Sequence, residues 1–171
     1  MKTKLMICFL VLMSWAARAQ HDHHDHEMRT DKKDEKVAVF KDKSLGSAYN
    51  SYGKLKDALI ASNEEEAKMA AEELQNALAS VNNGKKALNE AVKVATASSL
   101  EHQRLAFDPL TTEMVALIKR GKLSAGEVYI EYCPMANNNQ GGYWLSNEKV
   151  IKNPYFGDKM LKCGSVKETI Q

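Results

Sequence analysis

The side chains in this sequence best suited to chemistry are sulfurs and imidazoles, and both are clustered. Cys133-Pro134-Met135 places a thiol and a thioether two residues apart, and proline biases the residue before it toward an extended backbone, which would turn both sulfurs the same way. Met160 and Cys163 are three apart, the spacing that puts two side chains on one face of a helical turn. If the turn at Asn153-Pro154-Tyr155-Phe156-Gly157 folds the second pair back onto the first, four soft donors surround one point. Such donors select Cu(I) over hard cations, with geometry and metal supply deciding between copper and zinc. The same cysteines have a plainer reading. A Cys133–Cys163 disulfide would close a loop of about 30 residues and contribute on the order of 3 to 4 kcal/mol in the chain-entropy model. Methionine is also a common filler of irregular cores, so both readings stay open.

The imidazoles lie in His21-Asp22-His23-His24-Asp25-His26-Glu27-Met28. His21, His23, His24 and His26 on a mobile segment make a weak, adaptable chelator for Cu(II), Zn(II) or Ni(II), and binding displaces protons from the rings, so affinity should fall with pH. A solvated tail without a ligand is the alternative. His102 reads as a surface histidine outside any site, and Trp144 as a packed core side chain rather than a ring face offered to a cation.

These residues need a scaffold and a compartment. Lys2 and Lys4, an apolar stretch from Leu5 to about Trp15, and Ala17-Arg18-Ala19 have the plan of a secretory signal cleaved after Ala19. Cys8 would leave with it, and the mature protein would be periplasmic or secreted. Removing residues 1–19 from the 171 leaves one domain's worth of chain. The whole-chain charge of +2 loses Lys2, Lys4 and Arg18, a balance that argues against nucleic acid as a partner. Two cysteines remain, an even count whose default reading in an oxidising compartment is one disulfide.

From Gln20 to about Lys43 the chain is rich in His, Asp, Glu and Lys and poor in large apolar residues, which predicts a flexible tail over 20–43. A helical period then takes over. Leu45, Ala48, Tyr49, Tyr52, Leu55, Leu59 and Ile60 share one face of a first helix ending near Ser62. Ser62 and Glu65 have capping-box spacing before a second helix carrying Ala67, Ala70, Leu74 and Leu78. Asn82-Asn83-Gly84 is a turn, and Ala87, Leu88, Ala91, Val92 and Ala95 mark a third helix with a small-residue face. Ser98 and Glu101 open a further segment, Asp108-Pro109 predicts either a new helix or a kink, and Arg120-Gly121 a stop. The fold class expected is mainly α, a four-helix up-and-down bundle. After Gly126 the period becomes two: Val128, Ile130 and Tyr132, then Tyr143-Trp144-Leu145, predict a β-hairpin that completes a single domain over 44–164, with a short tail over 165–171. Nucleophile elbow, phosphate loop and paired-histidine zinc motifs are missing from the sequence, so an enzyme is not expected.

Tyr132-Cys133-Pro134-Met135-Ala136, Gly142, Trp144-Leu145-Ser146, Ile151, Asn153 to Gly157, Met160-Leu161 and Cys163-Gly164 together resemble the signature of the bacterial domain of unknown function 3347 (DUF3347). Tyr49, Leu55-Lys56-Asp57-Ala58-Leu59 and Arg104-Leu105-Ala106-Phe107 extend the resemblance to roughly 45–164. That family occurs as a stand-alone exported protein and appended to periplasmic adaptor subunits similar to those of copper and silver efflux pumps. The resemblance implies heavy-metal handling, with an efflux adaptor as partner, and carries over no catalytic residue. Two expectations result. One is a copper-binding protein that buffers or delivers metal through Cys133, Met135, Met160 and Cys163, fed by the histidine tail. The other is a disulfide-held helical module that docks onto a transport complex without metal chemistry.

Overall fold

The computed structural model describes residues 37–171; the segment expected to be a signal and the histidine cluster lie outside the described residues. The protein is mainly helical, with antiparallel strands at the C-terminal end. Helix α1 (Lys43–Ile60) starts where Asp42 Oδ1 accepts the Ser44 N–H at 2.8 Å, satisfying a donor that has no partner within the helix. Of the expected stripe Leu45, Ala48, Tyr49, Tyr52, Leu55 and Leu59 are buried, while Ile60 at the helix end is only half-buried. Helix α2 (Glu64–Leu78) is capped by Asn63, whose Oδ1 accepts the Glu66 N–H at 3.1 Å while its amide donates to Glu66 Oε2. The capping pair is therefore one residue later than the Ser62–Glu65 spacing predicts. Ser62 ends α1 in a left-handed conformation, φ 57°, whereas a capping residue needs extended backbone, as at Asn63 with φ −99°.

Helix α3 (Lys85–Ala95) buries Ala87, Ala91, Val94 and Ala95. Helix α4 (Leu100–Gly121) is capped by Ser99 and runs unbroken through Pro109, where the sequence predicts a fresh start or a kink. Pro109 is exposed, so its missing N–H falls on the solvent side, where water can serve the freed carbonyl. Asp108 is not a cap. Its Oδ1 accepts the Tyr143 N–H at 2.8 Å and so ties the helix to a strand. Gly121 is needed for close approach, since a Cβ there would sit 2.2 Å from Leu45 Cδ2. Each helix packs chiefly on its neighbours in the chain, and α4 returns to contact α1.

The strands correct two boundaries. Strand β1 (Val39–Phe40) pairs with β2 (Leu123–Ala125), and Phe40 is buried with its ring 5.2 Å from that of Tyr49. Residues 37–43, read as tail from their charge, thus belong to the fold, because one apolar ring against α1 outweighs a polar composition. Strands β3 (Val128–Cys133) and β4 (Gly142–Ser146) form the expected antiparallel hairpin, with Glu131 opposite Trp144 and Cys133 opposite Gly142. A third strand, β5 (Ser165–Ile170), pairs along the other edge of β3, so the 165–171 stretch is not a tail. Its side chains are almost all exposed, so it carries no buried alternation to betray it. Backbone hydrogen bonds to β3 hold it instead.

An aromatic series joins helices to strands. Tyr52 stacks on Phe107 with centroids 5.1 Å apart, Phe107 meets Tyr155 edge-on at 6.0 Å, and Tyr155 meets Trp144 at 6.1 Å. The buried Tyr52 hydroxyl bonds Thr111 Oγ1 at 2.7 Å and accepts the Leu145 N–H at 3.2 Å, so one phenol ties α1 to both α4 and β4. Among the described residues no helix is long and apolar enough to cross a membrane.

Candidate soft-metal and thiol site

Cys133 closes β3 and is fully buried. Opposite it stands Gly142, where a Cβ would come within 2.6 Å of the Tyr155 ring. The thirty-residue return to Cys163 is organised by Asn153. This buried amide donates to the Cys163 carbonyl at 2.8 Å and accepts the Tyr155 N–H at 2.8 Å, while the Asn153 backbone N–H reaches the Leu161 carbonyl. Gly164, at φ 144°, then passes where a Cβ would lie 2.7 Å from the Trp144 ring. The result is a contact between the two thiols, Cys133 Sγ to Cys163 Sγ at 2.8 Å, with no disulfide bond. The Cys163 thiol is pushed above its ordinary pKa, first by its hydrogen bond to Cys133 and then by desolvation.

The methionines go elsewhere. Cys133 is extended in β3, as expected of a residue before proline, but Met135, with φ −88° and ψ −10°, has already left the strand for helical backbone. It leads into a tight turn in which Asn137, Asn138 and Asn139 all have positive φ, and its side chain is 46% exposed. Met160 follows a single 3₁₀ turn (Gly157–Lys159) and is separated from Cys163 by a second turn closed by the Cys163 N–H to the Met160 carbonyl. Both methionines line one cleft of about 580 Å³, together with Arg104, Leu105 and the asparagine turn, and neither cysteine lines it. The two sequence pairs, Cys133 with Met135 and Met160 with Cys163, thus regroup as thiol with thiol and thioether with thioether.

Several residues that set this arrangement were not singled out for that role by their spacing. Arg104 donates from Nε to the Pro154 carbonyl at 2.8 Å and from Nη2 to the Leu59 carbonyl at 2.8 Å, so it clamps the Cys163-bearing loop to the end of α1. Glu131 is fully buried on β3 opposite Trp144, and the Trp144 indole N–H faces its carboxylate without reaching full hydrogen-bond geometry, so neither group has a close partner. Burial pushes the Glu131 carboxyl up to about 7; the nearby Trp144 indole, Lys56 and Lys152 favour the charged form and Glu148 opposes it. The one available signal was a lone acid inside the otherwise apolar Val128-Tyr129-Ile130-Glu131-Tyr132-Cys133.

Trp144 is fully buried, as a core side chain should be. His102 sits at the exposed start of α4, its Nδ1 near Ser98 and Ser99 hydroxyls. Among the described residues no three His, Cys, Asp or Glu side chains converge closely enough to hold a metal ion, so any metal here would rest on the sulfurs. His21, His23, His24 and His26 lie outside the described residues.

No curated protein and no solved structure matches the chain. One family model, described as protein of unknown function (DUF3347), matches residues 48–126, which take in most of α1, all of α2 to α4, and β2, and stop short of both cysteines. Residues 48–126 thus identify the chain as a carrier of the DUF3347 domain.

Proposed function

We propose that this is a periplasmic or secreted heavy-metal-binding protein that takes Cu(I) at Cys133 and Cys163, and buffers it or passes it to an efflux system. The observation that carries the reading is the meeting of two thiols from segments thirty residues apart, with two thioethers from the same segments lining one cleft. In this reading Met135 and Met160 form a softer outer station through which the ion reaches the thiols. His21, His23, His24 and His26 would collect Cu(II) or Zn(II) ahead of it. The four helices would act as an up-and-down bundle presenting the C-terminal segment to a periplasmic adaptor subunit. No catalytic role is assigned to any residue.

The thiols as they stand are too close for a shared ion. Two thiolates at about 2.3 Å from one metal would be about 3.8 Å apart at a tetrahedral angle and about 4.6 Å apart in the linear arrangement of a two-thiolate Cu(I) centre, so the ion must part the 2.8 Å pair by about 1 to 2 Å. Binding must also release both thiol protons, and the raised Cys163 pKa makes that release harder, so affinity should climb with pH. The same 2.8 Å contact supports a second reading, a disulfide that staples the loop while the surface docks onto a transport complex.

Thiol counting on protein isolated from its own compartment, followed by Cu(I) titration, separates the two. The copper reading expects two titratable thiols that one equivalent of Cu(I) protects, with tight binding abolished by either Cys133→Ser or Cys163→Ser. Met135→Leu and Met160→Leu should slow uptake more than they weaken it. A bridge that is already closed and indifferent to copper would overturn the metal reading and establish the staple.

A further inference from the structure

Cys133 and Cys163 are held side by side by the chain around them and not by a bond between them. Tyr132, the residue before Cys133, pairs with Ser165 in the β3–β5 ladder, and the Asn153 amide donates to the Cys163 carbonyl at 2.8 Å. Both segments are therefore fixed on either side of the thiol contact, which stands at 2.8 Å with no disulfide formed. The two sulfurs are not equivalent. Cys133 is fully buried at the end of β3, whereas Cys163 is half-buried in the loop, directly after the exposed Lys162. A reagent in solution meets Cys163 first, with Cys133 behind it on the core side. Thiol–disulfide exchange passes through a mixed disulfide, and its rate depends on which sulfur is accessible. A mixed disulfide on Cys163 would keep Cys133 within bonding reach, because the ladder and the Asn153 hydrogen bond do not depend on the sulfurs.

We propose that the pair is a reversible thiol-exchange site, with Cys163 as the entry sulfur, Cys133 as the resolving sulfur, and an exogenous disulfide of the class represented by oxidised glutathione as co-substrate. In the first step the Cys163 thiol releases its proton and the thiolate attacks one sulfur of RS–SR. The Cys163–SR bond forms, the RS–SR bond breaks, and RS⁻ leaves. In the second step Cys133 releases its proton and attacks Cys163 Sγ from the core side, so that the Cys133–Cys163 bond forms and a second RS⁻ departs toward solvent. The chain gives up two electrons, the exogenous disulfide takes them, and the two protons end on the two RSH released. Reduction retraces the path: an external thiolate attacks Cys163 Sγ and frees Cys133. A hydrogen bond to Cys133 and desolvation hold the Cys163 thiol above its ordinary pKa, so the first step should quicken as pH rises. The dithiol open to a soft metal and the bridge that staples the loop become two states of one pair. The exchange itself needs no metal, so it stands or falls apart from the Cu(I) reading.

The test treats the full mature chain, reduced and kept free of metal by a chelator, with oxidised glutathione, and follows the products by mass spectrometry. The natural protein should end with an internal disulfide and release reduced glutathione, with little mixed disulfide at any time. Cys133→Ser should stop at a stable glutathione adduct on Cys163. Cys163→Ser should react about tenfold more slowly or less, because its remaining thiol is buried. Should the serine variants fold poorly, the natural protein carries the same test: substoichiometric iodoacetamide under native conditions should label Cys163 in about tenfold excess over Cys133, read by peptide mapping. The proposal is overturned if both thiols of the natural protein survive excess oxidised glutathione, if glutathione accumulates on Cys163 without being displaced, or if Cys133 reacts as fast as Cys163.

Discussion

Leu45, Tyr52, Leu55 and Leu59 reach the core because they recur at three- and four-residue steps along one helix, whereas Cys133 and Cys163 meet because Asn153, Gly142 and Gly164 steer an irregular loop into a narrow path. The first kind of placement is redundant: many apolar contacts share it, and loss of one leaves the helix axis where it was. The second is not redundant. In the helices a substitution should lower stability and spare local geometry, and in the 147–164 loop it should move a thiol before it melts a domain. The family match stops at 126, on the redundant side of this divide.

The aromatic series through Phe107 is where the two regions share a core, so it should give the largest effect. Phe107 is fully buried between Tyr52 and Tyr155. Phe107→Ala should cost about 3 to 5 kcal/mol, the usual penalty for emptying such a site. Helical and aromatic circular dichroism should then fall in one shared transition during denaturant unfolding. Two separate transitions in the unmodified protein would show that the helices and the strand segment are independent units, and the comparison would have to be redrawn as one between domains.

Next in size is Asn153→Ala. It removes the amide that holds the Cys163 carbonyl and the Tyr155 N–H, leaving two buried groups to find other partners, at about 2 to 3 kcal/mol in all. The decisive readout is the reactivity of Cys163 toward an alkylating reagent, which should rise well before the helices lose structure. If alkylation and helix loss keep step at every denaturant concentration, the loop is as redundantly held as the helices.

The same contrast accounts for what could be read in advance. The buried faces of α1 to α4 were legible because burial on a helix leaves a period in the sequence. The hairpin was legible because Val128, Ile130 and Tyr132 alternate with other side chains. The third strand was not, because β5 is exposed almost throughout and is held through its backbone. In the candidate site the cysteine pairing could be proposed from count and compartment. The positions of Met135 and Met160 could not, since each depends on a turn: one with three successive positive φ values after Met135, the other a 3₁₀ turn before Met160. Asn153-Pro154 reads as a turn in the sequence, and only the fold reveals that Asn153 is fully buried and holds the end of the loop.

The smallest effect should come from Glu131, and it tests whether the strand segment carries a pH dependence that the helices lack. A carboxyl whose pKa is about 7 when folded and about 4.3 when unfolded binds more protons in the native state throughout that interval. Its contribution is therefore full below pH 4.3 and is lost as pH rises through 7, so stability should decline from about pH 5 to pH 8, by roughly 1 to 3 kcal/mol. Lys56 from α1, Lys152 from the loop and Trp144 from β4 moderate the decline by favouring the charged form, while Glu148 steepens it. Glu131→Gln keeps the shape and removes the charge. Urea unfolding of this variant at pH 5 and pH 8 should give nearly equal midpoints, with the gain over the natural protein appearing only at the higher pH. An unchanged slope with pH would place the titrating group outside β3 and leave the buried carboxylate neutralised by one of the lysines that face it.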